Sequence, residues 1–322
     1  MNEDASIANK TCKVSVCITS FNHAPFIAQA IDSVLEQRTN FPFDIIIADD
    51  FSKDETQNIL LRYQEKYPNL VRLILNDINI GATKNTVKIL AEASGKYVAM
   101  LDGDDYWTDP TKLQKQFDFL EENPDYAISF HGADVFSAGE VKPHFLPVAQ
   151  FRRPKSVMMD LVLYDSFMPT STIMFRNYLI SHFPPEYYAT RGINDWPLNV
   201  LLTEHGDIAY LDICMSVYRQ ASSIHAFTHK PIEKILKNAV LLNRQFDRYF
   251  HGKHQAIFHK KISGYYLEMS KDQLRRGELT KSKRYLGCAN RYALNLKRTL
   301  KMNLYYFPKL TLKNWLQKLK NV

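Results

Sequence analysis

Three carboxylates stand within the four residues Asp102-Gly103-Asp104-Asp105. Like charges at this spacing repel one another unless a cation or a proton lies between them. Carboxylate oxygens are preferred ligands of Mg²⁺ and Mn²⁺, and such ions commonly bridge to substrate phosphates. The same segment also fits a solvated acidic turn, or a cap that Asp105 gives to a following helix. Metal binding is therefore one of two interpretations of this segment alone.

A second acidic pair, Asp49 and Asp50, directly follows the apolar run 43–48. A carboxylate at this point can accept a hydrogen bond from a nucleobase N–H or from a ribose hydroxyl. For Ser52, Asp54 or both, the more ordinary interpretation is that they cap the helix that follows. The pair therefore predicts a nucleoside contact at the end of a second strand.

A third candidate is Asp195, which precedes Trp196 and Pro197 at the start of a predicted helix. A carboxylate at such a position can accept a proton as general base. It can also cap the helix, because proline suits an early helical position. Both roles are compatible, since capping would also orient the carboxylate.

The elements that position these residues alternate along the chain. Runs of β-branched and aliphatic residues predict strands over 13–19, 43–48, 71–75 and 97–101, and helical spacing predicts helices over 25–37, 54–67 and 84–93. This alternation is typical of a mostly parallel α/β sheet flanked by helices. Ligands of such sheets bind beyond the carboxyl ends of the strands, where the acidic residues are predicted to lie.

The rest of the chain is less regular. Residues 131–211 contain several prolines, from which we expect loops, short strands and a helix over about 196–204. From Pro231 onward the apolar residues recur at helical spacing.

Residues 13–136 resemble the catalytic part of the family 2 glycosyltransferases, which have the GT-A fold. The resemblance rests on three blocks and on their spacing: VSVCITSFNHAPFIAQAIDSVLEQ, IIIADDFSKDET and NDINIGATKNTVKILAEASGKYVAMLDGDDYW. It implies a hexosyltransferase of the bacterial surface-polysaccharide type, which moves a sugar from a nucleotide-sugar to an acceptor hydroxyl. It also implies a divalent ion, Mn²⁺ or Mg²⁺, as cofactor.

The resemblance assigns donor-binding roles position by position. Thr19, Phe21 and Asn22 are expected to line the nucleotide pocket. Asp50, with Asp49 beside it, is expected to bind the base or the ribose. The residues that match the family's asparagine–glycine–asparagine segment near the donor are Asn79, Gly81 and Asn85.

The resemblance also assigns roles to the acidic segment, residues 102–105, and to Asp195 at the start of the predicted helix. Asp104 is expected to be the metal ligand, and Asp102 to contact the ribose or sugar and to assist with the metal. Gly103 lies between them in the donor site, and Asp195 matches the family's general base. Asn194 stands where the family usually has Glu or Gly.

The segment 217–225 resembles the family's tyrosine–arginine segment that closes over the donor. Arg219 could neutralise the diphosphate, or it could be a structural ion pair. His225 could contact the metal or a phosphate, although it stands further from Arg219 than the family pattern has it.

The residues assigned by the resemblance imply one in-line displacement with inversion at the anomeric carbon. On family grounds, UDP is the expected nucleotide of the donor. Asp195 would deprotonate the acceptor, and the metal would stabilise the departing diphosphate. The chain has no Gln-x-x-Arg-Trp motif after Asp195, and no apolar run approaches the roughly 18 residues that span a bilayer. We therefore expect a single-addition enzyme, not a processive synthase.

Charge divides the chain of 322 residues. Residues 228–322 carry 22 basic against 5 acidic side chains, whereas the rest carries 19 against 29. We expect a flexible N-terminus over 1–10, a catalytic domain over 11–227 and a helical basic region over 228–322. Within the catalytic domain, 11–136 would bind the nucleotide-sugar and 137–227 the acceptor.

The end of the basic region, 281–322, has no acidic residue and carries an aromatic and apolar seam. This composition fits an anionic membrane surface, where lipid-linked or glycan acceptors would be met. It equally fits a helix that packs on the catalytic domain. No nucleic-acid-binding motif is present, so we expect no nucleic-acid partner. The first residues lack the pattern of a signal peptide, and we expect a cytoplasmic protein, with peripheral attachment to the inner membrane face left open.

Two other functions compete with sugar transfer. A sugar-nucleotidyltransferase would share the α/β sheet and the metal carboxylates, but its phosphate loop normally contains glycine, and the loop 20–25 has none. A non-catalytic nucleotide-binding or membrane-binding scaffold would be expected to lack the acidic segment or the base, and both are present.

Overall fold

The computed structural model describes residues 12–179, 183–188, 195–220 and 232–293. The chain divides into two compact units, Met1–Ala226 and Phe227–Val322. Each unit is described by itself below.

The first unit begins with strands and helices in alternation. These elements are β1 (Val14–Ser20), α1 (Ile27–Leu35), β2 (Phe43–Asp49), α2 (Thr56–Lys66), β3 (Val71–Leu75), α3 (Ala82–Glu92) and β4 (Tyr97–Asp102). Each bound lies within two residues of the prediction. The central strands are buried on both faces, which explains their nearly continuous apolar sequences.

The order of the strands creates a topological switch point. The sheet runs β3-β2-β1-β4, and β1 is parallel to both of its neighbours. The chain therefore adds β2 and β3 on one side of β1 and then returns to add β4 on the other. The crevice beyond the carboxyl ends of β1 and β4 is where such sheets bind ligands.

The sheet continues in the second half of the unit. Its remaining elements are β5 (Tyr106–Trp107), α4 (Lys112–Glu122), β6 (Tyr126–Ser137), β7 (Glu140–Leu146), β8 (Lys155–Ser156), α5 (Met158–Tyr164), β9 (Met174–Arg176), α6 (Pro185–Tyr188), α7 (Asp195–Leu202) and β10 (Asp207–Arg219). The full order is β3-β2-β1-β4-β9-β6-β10-β5, with β7 on β6 and β8 on β10. The three pairs within β1–β4 are all parallel, whereas β5, β7, β8 and β9 pair antiparallel with their neighbours.

The expectation of loops and short strands over 131–211 was wrong at both ends of that range. β6 has 12 residues and β10 has 13, and the two strands lie side by side in parallel. Their pairing shifts register between Leu211 and Cys214, which breaks the period-2 pattern that would identify a strand. The predicted helix over 196–204 is present as α7.

The second unit, as far as it is described, contains three helices: α8 (Ile232–Tyr249), α9 (Gln255–Arg275) and α10 (Leu279–Arg291). Val240 of α8 packs with Ile262 and Met269 of α9, and Leu286 and Ala289 of α10 form a second buried cluster. The helical prediction from Pro231 onward therefore agrees with the described part of this unit. The aromatic and apolar seam after residue 293 lies outside the described residues. Among the helices described, none combines the length and the apolar character that crossing a bilayer requires.

Candidate active site

The carboxyl ends of β1 and β4 are joined by side-chain and backbone hydrogen bonds. Thr19 Oγ1 donates to Asp102 Oδ1 at 2.7 Å, and the Gly103 N–H donates to the Thr19 carbonyl at 2.8 Å. A Cβ atom at Gly103 would lie 2.8 Å from Ile27 Cδ1 and 2.9 Å from His23 Nδ1. The acidic segment therefore approaches β1 and α1 so closely that any side chain at its second position would have to displace Ile27 or His23.

The third carboxylate of the segment holds the turn in place. The Asp105 N–H donates to the Asp102 carbonyl at 2.9 Å, and Asp105 Oδ1 accepts the Arg219 N–H at 2.8 Å. Asp105 is only 1% exposed. Burial and the nearby charge of Asp104 raise the pKa of Asp105 well above its usual range. Asp105 is thus a supporting residue and does not cap α4, which begins at Lys112.

The Arg219 side chain joins this turn to Gln29 of α1. Its guanidinium donates to the Asp104 carbonyl and to Gln29 Oε1, each at 2.5 Å. The same group lies 5.0 Å from the Phe26 ring centroid and 4.6 Å from that of Tyr106. Arg219 is 9% exposed. These contacts give Arg219 a role in holding the turn, and its predicted contact with a diphosphate stays a prediction.

Two neighbouring carboxylates affect the pKa of Asp102. Burial is the main cause that raises the pKa of Asp102 to about 6, and the charges of Asp104 and Asp195 add to it. Hydrogen bonds from Thr19 and Thr170 oppose this rise. Asp195 therefore lies within electrostatic reach of the acidic segment, although 93 positions separate it from Asp102 in the sequence.

Asp195 is the first residue of α7 and is half-buried. The next residue, Trp196, anchors the helix start because its indole N–H donates to the Leu161 carbonyl at 2.8 Å. Tyr187 lies nearby: burial raises its pKa, and the charge of Asp195 raises it further. The carboxylate thus lies at the start of α7, within electrostatic reach of Asp102.

The acidic segment fits a divalent cation that completes its ligand sphere with other molecules. Asp102 and Asp104 supply hard oxygen atoms whose charges repel each other, as the raised pKa of Asp102 indicates. Within the described ranges, no group of three His, Cys, Asp or Glu side chains converges as a metal site. Two carboxylates suit an ion such as Mg²⁺, which keeps water and takes oxygen ligands from phosphates.

Asp50 organises the loop that contains Asn79 and Gly81. Its carboxylate accepts the N–H groups of Ile80 at 2.8 Å and Gly81 at 2.9 Å, and its carbonyl accepts the Asn79 amide at 3.1 Å. Gly81 adopts φ +86°, a left-handed conformation that favours glycine. The predicted contact of Asp50 with base or ribose stays a prediction, since the carboxylate is only 3% exposed here.

Asp49 and Asn85 are buried in the same region. Asp49 accepts hydrogen bonds from the Ser52 N–H, the Ser52 hydroxyl and the Gln57 amide. Asn85 donates to the Ala48 carbonyl at 2.9 Å and accepts from Asn76 at 2.9 Å. Both side chains support the strand ends in this structure, and their contact with a nucleotide also stays a prediction.

The loop after β1 is fastened to the loop after β2. The Asn22 N–H donates to Ser52 Oγ, and Asn22 Oδ1 accepts the Lys53 N–H, both at 2.8 Å. Asn22 has φ +55°, which asparagine tolerates better than most residues. Phe21, by contrast, is 43% exposed, so its ring is available to a ligand. Asp54 completes the connection by accepting the Ala24 N–H at 3.1 Å.

Sequence reasoning missed Asn76 and Thr170. The Asn76 amide donates to Asp50 and to Asn85, and its oxygen accepts from Lys88 Nζ at 2.7 Å. Its place directly after β3 was the signal that could have identified it. Thr170 lies in a region without periodicity, so no sequence signal identified it. Two predicted positions, Asn194 and His225, lie outside the described residues.

Comparison with known proteins agrees with the family resemblance of the sequence. The profile of Glycosyl transferase family 2 matches residues 15–182. An uncharacterized protein of Mycobacterium tuberculosis is 38% identical over 210 residues, which are 64% of this chain and 58% of that protein. The match thus spans less than two thirds of that relative's length. The Bacillus subtilis protein TuaG, named for a glycosyltransferase of teichuronic acid biosynthesis, is 31% identical over 64% of this chain and 78% of its own.

Two solved structures share the fold. S. aureus TarS (residues 1–349, in complex with UDP-GlcNAc) superposes with a TM-score of 0.62 at 18% identity, over 87% of this chain and 81% of that chain. The mannosyltransferase PcManGT of Pyrobaculum calidifontis, in complex with GDP-Man and Mn²⁺, superposes with a TM-score of 0.54 at 16% identity, over 96% and 89%. The predicted fold, with its central sheet, flanking helices and C-terminal helices, is thereby confirmed.

Proposed function

The chain belongs to glycosyl transferase family 2, and we propose that it transfers a sugar from a nucleoside-diphosphate sugar to a hydroxyl of a glycan or lipid-linked acceptor, with inversion. One observation carries this proposal. The fold brings a helix-start carboxylate, Asp195, into electrostatic reach of Asp102, the first carboxylate of the acidic segment, at the switch point of the sheet.

The two sets of carboxylates have different chemical tasks. Asp195, at the start of α7, is suited to take the proton of the acceptor hydroxyl as that oxygen bonds to the anomeric carbon. Asp104, with Asp102, would hold a Mn²⁺ or Mg²⁺ ion, which supplies Lewis-acid stabilisation to the diphosphate leaving group when bound. Thr19 and Thr170 orient Asp102 through its hydrogen bonds.

The supporting residues fix the geometry. Arg219 and Asp105 hold the turn of the acidic segment, and Asp50 holds the loop of Asn79 and Gly81 beside it. Fixed placement of two substrates can supply a large part of the rate acceleration of such a displacement. Phe21 is the exposed aromatic ring that we assign to the nucleotide pocket.

We propose a UDP-sugar as donor and surface-polysaccharide assembly as the process. The UDP-GlcNAc in the TarS complex supports the first part, and the name of TuaG supports the second. We also propose 11–227 as the catalytic domain and 228–322 as a basic region that meets anionic membrane where a lipid-linked acceptor would be. The balance of 22 basic against 5 acidic side chains in that region supports this assignment.

The donor site is tested by isothermal titration of the protein with UDP, GDP and CDP, each with and without Mn²⁺. We expect one diphosphate to bind tightly only with the metal, and Asp104→Ala to lose that binding. Asp195→Asn is expected to bind the same diphosphate normally and to lose about 100-fold or more in transfer rate. If none of the three diphosphates binds to the folded protein, the proposed function is wrong.

The proposed contact of residues 228–322 with anionic membrane is tested separately. Vesicles of phosphatidylcholine with and without phosphatidylglycerol are sedimented with the full chain at low and high salt. We expect binding only to the anionic vesicles, weakened by salt. Equal binding to both compositions, or none to either, would leave the catalytic proposal intact and refute the membrane contact.

A further inference from the structure

A lysine without a polar partner lies in the core of the first unit. Lys112, the first residue of α4, is 0% exposed, and its Nζ makes no hydrogen bond with any described residue. Burial lowers its pKa well below the usual range. The nearest acidic side chain in the sequence, Asp109, is already occupied by Thr111 and by Lys115 Nζ.

Other polar groups around Lys112 do not compensate for its burial. The charge of Lys112 acts on His131 of β6, which is also 0% exposed. His131 Nδ1 contacts the Gly132 carbonyl at 2.8 Å, and its Nε2 has no partner among the described residues. An amine buried without a partner costs folding free energy that an apolar side chain of similar length would not. Such a local conflict is expected mainly at functional sites.

The amine of Lys112 touches one aromatic ring. Its Nζ lies 3.8 Å from the Trp107 ring centroid. An amine over the face of an indole is attracted by the electrons of the ring. Lys112 therefore restricts the orientation of the Trp107 side chain.

Trp107 connects this contact to the active site. Its indole N–H donates to the Ser171 carbonyl at 2.8 Å, within the short turn Thr170–Thr172. Thr170 of that turn lowers the pKa of Asp102, and Ile173, directly after the turn, accepts the Met100 N–H of β4 at 3.3 Å. Gln116, one helical turn after Lys112 on α4, donates to the Thr172 carbonyl at 3.0 Å. The turn that contacts Asp102 is thus held from the α4 side at two points.

We propose that Lys112 is a positioning residue for sugar transfer, because its amine orients Trp107 and Trp107 in turn holds the Thr170–Thr172 turn against Asp102. This proposal rests on the proposed function for its effect on rate. The contact of Lys112 with Trp107 can be tested without it.

The test compares Lys112→Met with Lys115→Met, the same change at a partly exposed position of the same helix, where Lys115 Nζ pairs with Asp109. Lys112→Met is expected to unfold at an equal or higher temperature than the wild type and to lose about 10-fold or more in kcat, with the donor KM little changed. Trp107→Phe removes the indole N–H and is expected to lose a similar factor. The double variant is expected to lose no more than either single variant, because both act through one connection.

A second readout does not depend on activity. Hydrogen exchange of the Trp107 indole N–H is followed by NMR, with Trp107→Phe to assign the resonance. We expect slow exchange in the wild type and in Lys115→Met, and exchange at least about 10-fold faster in Lys112→Met.

Three results would overturn the proposal: unchanged indole exchange in Lys112→Met, losses of rate that multiply in the double variant, or a rate loss that only follows a lower unfolding temperature. If the wild type transfers no sugar to any acceptor, the proposed function fails, and the indole exchange still decides the role of Lys112.

Discussion

Thr19, at the end of β1, donates a 2.7 Å hydrogen bond to Asp102, at the end of the neighbouring strand β4. The bond crosses the switch point of the sheet and fixes the first carboxylate of the acidic segment. Hydrogen bonds to charged groups are worth about 1.5–3 kcal/mol, and loss of this one leaves the half-buried Asp102 carboxylate with one partner fewer.

Thr19→Val keeps the shape of the side chain and removes this donor. We expect kcat/KM for sugar transfer to fall about 10-fold or more, in proportion to the energy of the lost bond. Thr19→Ser, which keeps the hydroxyl, is the control and should retain most of the activity. Equal activity of the valine and serine variants would show that the bond has no role in catalysis.

Gly103→Ala tests how closely the acidic segment approaches α1. The new Cβ would meet Ile27 Cδ1 at 2.8 Å and the Thr19 carbonyl oxygen at 3.1 Å. We expect the free energy of unfolding to fall by about 1–3 kcal/mol, measured by urea denaturation, and metal-dependent UDP binding to weaken.

Two variants make this prediction specific. Ile27→Val removes the Cδ1 atom, so Gly103→Ala combined with Ile27→Val should recover part of the UDP affinity. Gly264→Ala, inside α9 with nothing within 4 Å of its new Cβ, should be neutral or stabilising. A fully functional Gly103→Ala protein would contradict the close approach.

Arg219→Lys separates two roles for this residue. If Arg219 holds the turn through Asp104 and Gln29, the substitution should lower the free energy of unfolding by about 1–3 kcal/mol, because lysine cannot make both bonds. Gln29→Leu should then have an effect of the same sign. If Arg219 instead contacts the diphosphate, isothermal titration would show weaker UDP binding while the unfolding free energy stays unchanged.

His131 predicts a dependence of stability on pH. Burial, with the charge of Lys112 adding to it, lowers the pKa of His131 to about 3, whereas an unfolded histidine titrates near about 6.5. Because the unfolded chain binds this proton first, the contribution of His131 to stability is present above about pH 6.5 and is lost as the pH falls toward 3. The slope is at most about 1.4 kcal/mol per pH unit.

The measurement is urea denaturation of the wild type and of His131→Gln between pH 7 and pH 5. The wild type should lose up to about 2 kcal/mol more than the variant over this interval. Lys112 and Asp109 are the charged groups that act on His131, and both remain in the two proteins. Parallel loss in the two proteins would show that His131 is not buried as a neutral side chain.

The sequence by itself determined the first half of the fold and the place of the site. Strands β1, β2 and β4 are buried on both faces, so their residues form apolar runs that can be recognised locally. The acidic residues follow these runs directly, and parallel strands present their carboxyl ends at one edge. The start of α7 was also predictable, because Asp195 and Pro197 suit the first turn of a helix.

Only the tertiary structure decided the path of β6 and β10. The two strands carry polar residues and a register shift between Leu211 and Cys214, so neither shows the alternation that marks a strand. Their longest run of pairing joins the two strands to each other, across about 80 positions of sequence. Pairing of this kind depends on the partner strand, and the partner cannot be identified from the local pattern.

The roles of individual side chains depended on the fold in the same way. Arg219 lies at the end of β10 and holds a turn more than 100 positions earlier, so its sequence neighbours contain no sign of that contact. Lys112 is charged and would be assigned to the helix surface, yet it is buried on Trp107 beside His131. Burial and hydrogen-bond partners arise from elements that meet only in three dimensions, whereas strand and helix preference arises from residues adjacent in sequence.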